Sequence, residues 1–184
     1  MQRRTFWRAL AGIPLFLGIS RYAVAAQAGS MKDVEEMQKN WKALLADGSK
    51  VPAPSEPLKL SKDEWKKRLG GGLQYEVLRE EGTERAGTSP LNDEHRKGVF
   101  RCAGCELPLF ASETKFESGT GWPSFFTSLP GAIVTKTDFK LIVPRTEYHC
   151  ARCEGHQGHD FNDGPQPTGK RYCNNGVALR FVAA

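Results

Sequence analysis

A chain of 184 residues, 39% of them hydrophobic and 26% charged, has material for one domain with a real core plus some appendages, and too little for a second full domain. Its formal charge of +5 and pI near 9.0 suggest a phosphate-backbone partner, but Arg3, Arg4, Arg8 and Arg21 all lie in the first 28 residues, which carry no Asp or Glu. Without them the body is one charge from neutral, which removes the electrostatic footprint expected of a nucleic-acid binder.

Residues 1–28 read as a targeting segment. Arg3-Arg4-Thr5-Phe6 precedes an uncharged stretch from Ala9 to Ser20, and Ala23-Val24-Ala25 and Ala26-Gln27-Ala28 are candidate cleavage signals. Twelve uncharged residues are too few to span about 30 Å of hydrocarbon as a helix, so no permanent membrane anchor is expected. The arginine pair followed by Phe6 resembles a twin-arginine signal, which implies export of a folded protein to the bacterial periplasm. An ordinary secretory leader with a chance Arg-Arg pair is the alternative.

The following segment, 31–47, sets Val34, Met37, Trp41, Leu44 and Leu45 at helical spacing against a charged face, with Gly48 as the stop. Val51 to Pro57 holds three prolines and is expected to be a linker, since each proline lacks a donor and fixes its φ angle. Ser61-Lys-Asp-Glu64 has the spacing of a capping box, predicting a short helix through Trp65 to Leu69 that Gly70-Gly71-Gly72 ends. From Tyr75 onward short runs rich in β-branched and aromatic residues alternate with Gly, Pro and Asn turns. The clearest strands are 98–101, 132–143 and 177–182, the last entered through the turn Asn174-Asn175-Gly176. The fold class is therefore mainly β and antiparallel, with a few short helices near the N-terminus.

Four of the five cysteines form two knuckles, Cys102-Ala-Gly-Cys105 and Cys150-Ala-Arg-Cys153. Two residues between thiolates let a tight turn aim both sulfurs at one ion, so the pair predicts a closed tetrahedral zinc site with a structural role. Arg152 would add positive charge beside it. Two structural disulfides or a rubredoxin-like iron are the alternatives. Cys173 is left over, in Lys170-Arg171-Tyr172-Cys173, where adjacent positive charge would favour the thiolate of a reactive cysteine. Two further segments could serve it. Gly119 to Phe126 is a glycine-hinged aromatic loop suited to holding a methyl thioether, and Gly155 to Pro165 brings His156 and His159 beside an acidic turn. Those histidines could instead complete a metal site with Cys153, although four thiolates already fill one.

In this order, Cys-x-x-Cys, Gly-Trp-Pro-Ser-Phe, Cys-x-x-Cys, Gly-His-x-Phe-x-Asp-Gly-Pro and Arg-Tyr-Cys-x-Asn resemble the B-type methionine sulfoxide reductases, over about Ser61 to Phe181; Gly82-Thr83-Glu84 fits the same pattern. The resemblance implies two antiparallel sheets, a Zn²⁺ ion on Cys102, Cys105, Cys150 and Cys153, no organic cofactor, and preference for the R epimer of peptide-bound methionine sulfoxide. It implies Cys173 as nucleophile, with Arg171, His156, His159 and Asp163 as catalytic companions, and Trp122, Asn175 and Phe161 as substrate-binding residues. Together with the readings above, the chain divides into a leader (1–28), a helical extension with its linker (29–58) and a catalytic domain (59–184), and is expected to act as a monomer. Oxidised proteins or peptides would be substrate and a thioredoxin-like or other thiol the reductant. Thr120 departs from the pattern, because many members have a resolving cysteine between these two glycines. With four cysteines committed to metal, no internal thiol remains to resolve an oxidised Cys173, so recycling falls to an external thiol. Rival functions are a zinc-ribbon binding module and an electron-carrying or redox-sensing metalloprotein.

Overall fold

The computed structural model describes residues 29–46, 49–138 and 145–184. The leader, the Gly48 stop and the end of the 132–143 strand lie outside these residues. Among the described residues, no helix is long and apolar enough to cross a membrane.

Among the described residues, three helices come first. α1 (Met31–Asn40) starts on a capping box between Ser30 and Asp33 and runs into a 3-10 turn at Trp41–Leu44. α2 (Lys62–Leu69) starts on the Ser61–Glu64 box, in which the Glu64 carboxylate accepts from the Ser61 amide at 2.8 Å. Gly70 ends it at φ 76°, a left-handed conformation that glycine adopts without steric cost. α3 (Leu73–Glu80) corrects the expectation of β structure from Tyr75. Tyr75, Val77 and Leu78 are buried on it, and the segment pairs with no strand. Its cap residue is Gly72, which offers no side-chain hydrogen bond, so the helix lacks the start signal that marked α2.

Nine strands follow among the described residues: β1 (Gly98–Cys102), β2 (Pro108–Ala111), β3 (Lys115–Phe116), β4 (Ser124–Phe125), β5 (Ile133–Asp138), β6 (Arg145–Cys150), β7 (His156–Phe161), β8 (Arg171–Asn174) and β9 (Leu179–Ala183). They form two antiparallel sheets, β2-β1-β9 and β3-β4-β8-β7-β6-β5, as the fold class required. The strand expected from Val177 begins at Leu179, after a 3-10 turn at Gly176–Ala178.

The two sheets meet through aromatic rings. Phe110 of β2 stacks on Phe125 of β4 at 4.1 Å and reaches Tyr148 of β6 and Tyr172 of β8 at 6.3 and 6.1 Å, Phe100 of β1 meets the Phe125 ring edge-on at 4.9 Å, and within the larger sheet Tyr148 meets Tyr172 at 5.5 Å. Such pairs contribute about 0.5–1.5 kcal/mol each beyond the area they bury. Side chains alternate along a strand, so Tyr172 turned into this core leaves its neighbours Arg171 and Cys173 on the opposite face of the larger sheet.

The N-terminal extension is docked rather than free. Val34 packs with Phe126, and the Gln38 amide donates to Thr127 Oγ1 and the Ser128 carbonyl, both at 2.9 Å. The proline-rich segment is likewise tied to the second cysteine knuckle: the Leu58 amide donates to the Arg152 carbonyl at 2.8 Å, and Arg152 Nε returns a bond to Glu56 O at 3.0 Å.

Candidate active site and metal centre

Each cysteine pair occupies the turn of a hairpin, β1–β2 for Cys102 and Cys105, β6–β7 for Cys150 and Cys153. The turns are built alike. The residue after the second cysteine has positive φ (Glu106, 64°; Glu154, 59°), and its amide donates to the first cysteine's carbonyl at 2.8 Å in both. The sulfurs meet across the hairpins: Cys102 and Cys153 are 3.7 Å apart, Cys105 and Cys150 3.4 Å, and all four lie within 4.8 Å of one another. A tetrahedral ion with metal–sulfur bonds of about 2.3 Å needs sulfurs about 3.8 Å apart, so donor set and spacing fit zinc. Arg152 reaches the Cys105 carbonyl at 2.8 Å, and Arg68 and Arg79 reach Gly104 and Cys153 carbonyls at 2.6 and 2.8 Å, which surrounds a dianionic centre with positive charge. Gln157 Nε2 donates to Cys102 Sγ at 3.4 Å.

Cys173 is the one cysteine with partial exposure. It lies opposite Ser124 of β4 and His159 of β7. A pocket of about 120 Å³ stands over it, walled by Trp122, Arg145, His159, Phe161 and Asn175. Burial pushes its thiol up; the Arg171 guanidinium and hydrogen bonds from Thr120 and Arg171 pull the other way without overcoming it. The thiolate bias expected from basic neighbours is thus present but outweighed. Thr120 continues into a chain of hydroxyls, Oγ1 to Ser118 Oγ at 2.8 Å and on to Ser124 Oγ at 2.7 Å.

The remaining expected residues surround this centre in three ways. Arg171 is clamped by Asp163 through two bonds of 2.8 and 2.9 Å and lies 4.2 Å over the Phe161 ring, so Asp163 and Phe161 hold the guanidinium beside the thiol. Trp122 is fixed by its indole N–H donating to the Glu84 carbonyl at 3.2 Å. Asn175 spends its side chain on backbone, Oδ1 accepting from Glu84 N at 3.0 Å and Nδ2 donating to Gln157 O at 3.0 Å. His159 is held by Asp138 Oδ2 at 2.9 Å, an oxygen that also accepts from Arg145 at 2.8 Å. His156 stands behind it, ring centroids 5.6 Å apart, with its pKa lowered to about 4 chiefly by burial.

Histidines three residues apart should face opposite sides of a strand. A bulge resolves this: Tyr148 pairs with Gly158 and His149 with His156, leaving Gln157 extra, so His156 and His159 share one face. Gly158 itself lies where a Cβ would fall 1.9 Å from the Cys173 carbonyl, a contact only glycine permits.

A family model described as the SelR domain matches residues 72–183, from α3 to the end of β9. The chain belongs to the SelR-domain family. It is 43% identical over 173 residues to peptide methionine sulfoxide reductase B1, chloroplastic, of Arabidopsis thaliana, covering 92% of this chain and 78% of that relative. Identity rises to 50% over 119 residues with peptide methionine sulfoxide reductase MsrB of Agrobacterium fabrum (64% and 87% covered) and 53% over 109 residues with that of Thiobacillus denitrificans (59% and 83%).

Within this family site, two residues escaped the reading of the sequence. Asp138 orients His159 from 21 positions away. Glu84, fully enclosed, accepts from the Val177 amide at 3.0 Å and from the Gly176 amide while its own backbone holds Trp122 and Asn175. Its place in Gly82-Thr83-Glu84 was the only signal.

Two outcomes follow. Cys102→Ser should lose the bound metal and lower the melting temperature; an unchanged metal content would remove the cluster as a metal site. In metal-loaded protein, alkylation of Cys173 should titrate above the ordinary thiol value of about 8.5, and Arg171→Met should move it higher still; an unmoved profile would dissociate Arg171 from the thiol.

Proposed function

We propose that the chain reduces protein-bound methionine-R-sulfoxide to methionine. The observation that carries this reading is the direct cross-strand pairing of Cys173 with His159 beneath the Trp122 pocket. The aromatic face receives the substrate methyl, and Phe161, Asn175 and Arg145 complete the wall. Cys102, Cys105, Cys150 and Cys153 would hold a zinc ion with all four thiolates, which would staple the two hairpins and leave the chemistry to Cys173.

The chemistry is an oxygen transfer. Cys173 sulfur attacks the sulfoxide sulfur, the S–O bond breaks, and oxygen ends on Cys173 as a sulfenic acid; the cysteine sulfur is oxidised by two electrons and the methionine sulfur reduced by two. Because burial holds the resting thiol's proton in place, a base is needed for that proton as well as an acid for the oxygen. His159, backed by Asp138 and by His156, can take the first and deliver it to the second. Arg171, clamped by Asp163, stabilises the negative charge between those events.

Recycling follows from Thr120, whose hydroxyl occupies the place beside Cys173 that a resolving thiol would need. A thioredoxin-like or other external thiol attacks the sulfenic acid, releasing water and leaving a mixed disulfide that a second thiol reduces. The protein works as a monomer on exposed segments of oxidised proteins. Assay on separated epimers should give turnover of the R form alone, lost in Cys173→Ser and reduced at least tenfold in a folded, metal-containing Trp122→Ala. One turnover without reductant should leave a trappable Cys173 sulfenic acid with metal retained. A Cys173 disulfide to a knuckle cysteine with released metal, or activity in Cys173→Ser, would overturn the scheme.

For residues 1–28 the proposed role is a twin-arginine leader that carries the folded protein to the periplasm. Replacing Arg3 and Arg4 by lysine should strand the precursor in the cytoplasm; normal processing of that variant would assign the leader to the ordinary secretory route.

A further inference from the structure

A second convergence of metal-binding side chains lies outside the four-cysteine cluster. Glu147, His149 and His156 are 2%, 9% and 2% exposed, and one donor atom from each lies within 4.8 Å of the others. Glu147 Oε1 is the common point, 3.1 Å from His149 Nε2 and 2.5 Å from His156 Nδ1. None of these three atoms makes a hydrogen bond of acceptable geometry, nor does His156 Nε2. Three enclosed polar atoms that converge without a well-aligned bond carry a desolvation cost that an ion among them would offset.

The outer partners are those of a ligand set. His149 Nδ1 lies 3.1 Å from the Glu154 carbonyl, so a neutral ring puts its proton there and turns the Nε2 lone pair toward Glu147. A lone pair facing a carboxylate oxygen at 3.1 Å is repulsive unless a proton or a metal ion is shared between them. Burial lowers the His156 pKa, which favours the neutral imidazole that ligates. The other oxygen of Glu147 faces Lys136 Nζ at 3.4 Å, and Lys136 also pairs with Glu81, so the carboxylate is oriented from its far side and Oε1 is left to the histidines. The site opens to solvent through a cavity of about 400 Å³ lined by Leu78, Glu81, Val134 and Lys136, distinct from the pocket over Cys173. Water entering by that route can complete the coordination.

We infer that Glu147, His149 and His156 form a second metal site, taking a divalent transition ion that prefers nitrogen and oxygen donors, of which zinc and cobalt are the probes. The ion would anchor His156, the ring that backs His159. His156 is shared with the proposed reduction, but Glu147 and His149 are not, and metal binding is read without any activity assay, so the two can fail separately.

The full chain, with its four-cysteine site already filled, is titrated with Zn²⁺ and separately with Co²⁺. Saturation should reach two ions per chain, the second removed by brief chelation while the first stays. Cobalt in the second site should add weak visible bands without new thiolate-to-metal charge transfer. His149→Asn keeps a polar group facing the Glu154 carbonyl and deletes Nε2; it should retain the first ion and bind the second more than about 100-fold more weakly, since loss of even an outer-shell partner costs about 10- to 100-fold. Should that variant misfold, ¹⁵N shifts of the His149 and His156 rings in the unaltered protein provide the reading, moving on addition of Zn²⁺. Saturation at one ion, equal binding by a folded His149→Asn, or ring shifts that stay still would each overturn the assignment.

Discussion

Strand β8 is the constraint on which the site rests. It is held between β4 and β7, and because side chains alternate, burying Tyr172 among the aromatic rings obliges Arg171 and Cys173 to face the other way. The register then decides the company of the thiol. His159 stands directly opposite Cys173 on one side and Ser124 on the other. A slip of one residue would send Cys173 into the core and Tyr172 into the pocket, so the packing that stabilises the fold is also what aims the Cys173 thiol.

Around this strand the supports are largely backbone-directed. Glu84 fastens the start of the last 3-10 turn and, through its own main chain, both Trp122 and Asn175. Asn175 in turn reaches the Gln157 carbonyl at the bulge. The bulge brings His156 onto the face of His159, while the Gln157 side chain reaches a knuckle sulfur. Active pocket, bulge and cysteine cluster are therefore mechanically continuous over a few residues.

Much of this was legible from local signals. The knuckle spacing named all four sulfurs, the Ser61–Glu64 box started α2 where expected, and the odd cysteine count singled out Cys173. Features that escaped depend on long-range packing. Glycine at the cap of α3 left no start signal, and eight residues are too few for a helical period to stand out from short β runs. The histidine segment, rich in glycine and acid, does not stand out among the expected strands; pairing with β6 and β8 makes it one, and its bulge is invisible without the partner register. Asp138, like His149, owes its importance to strands brought together by the sheet. The charge argument at Cys173 had the right sign for Arg171, but a sequence does not reveal how much water the fold removes from the thiol.

The unequal exposure of the cysteines sorts them chemically. Cys102, Cys105, Cys150 and Cys153 are between 0% and 4% exposed, whereas Cys173 reaches solvent through its pocket. A diffusing peroxide or alkylating agent therefore meets one cysteine sulfur out of five. Access filters reagents before any difference in intrinsic nucleophilicity can act, and in a setting rich in oxidants the sulfur that is attacked is also the one that a small thiol can reach and restore.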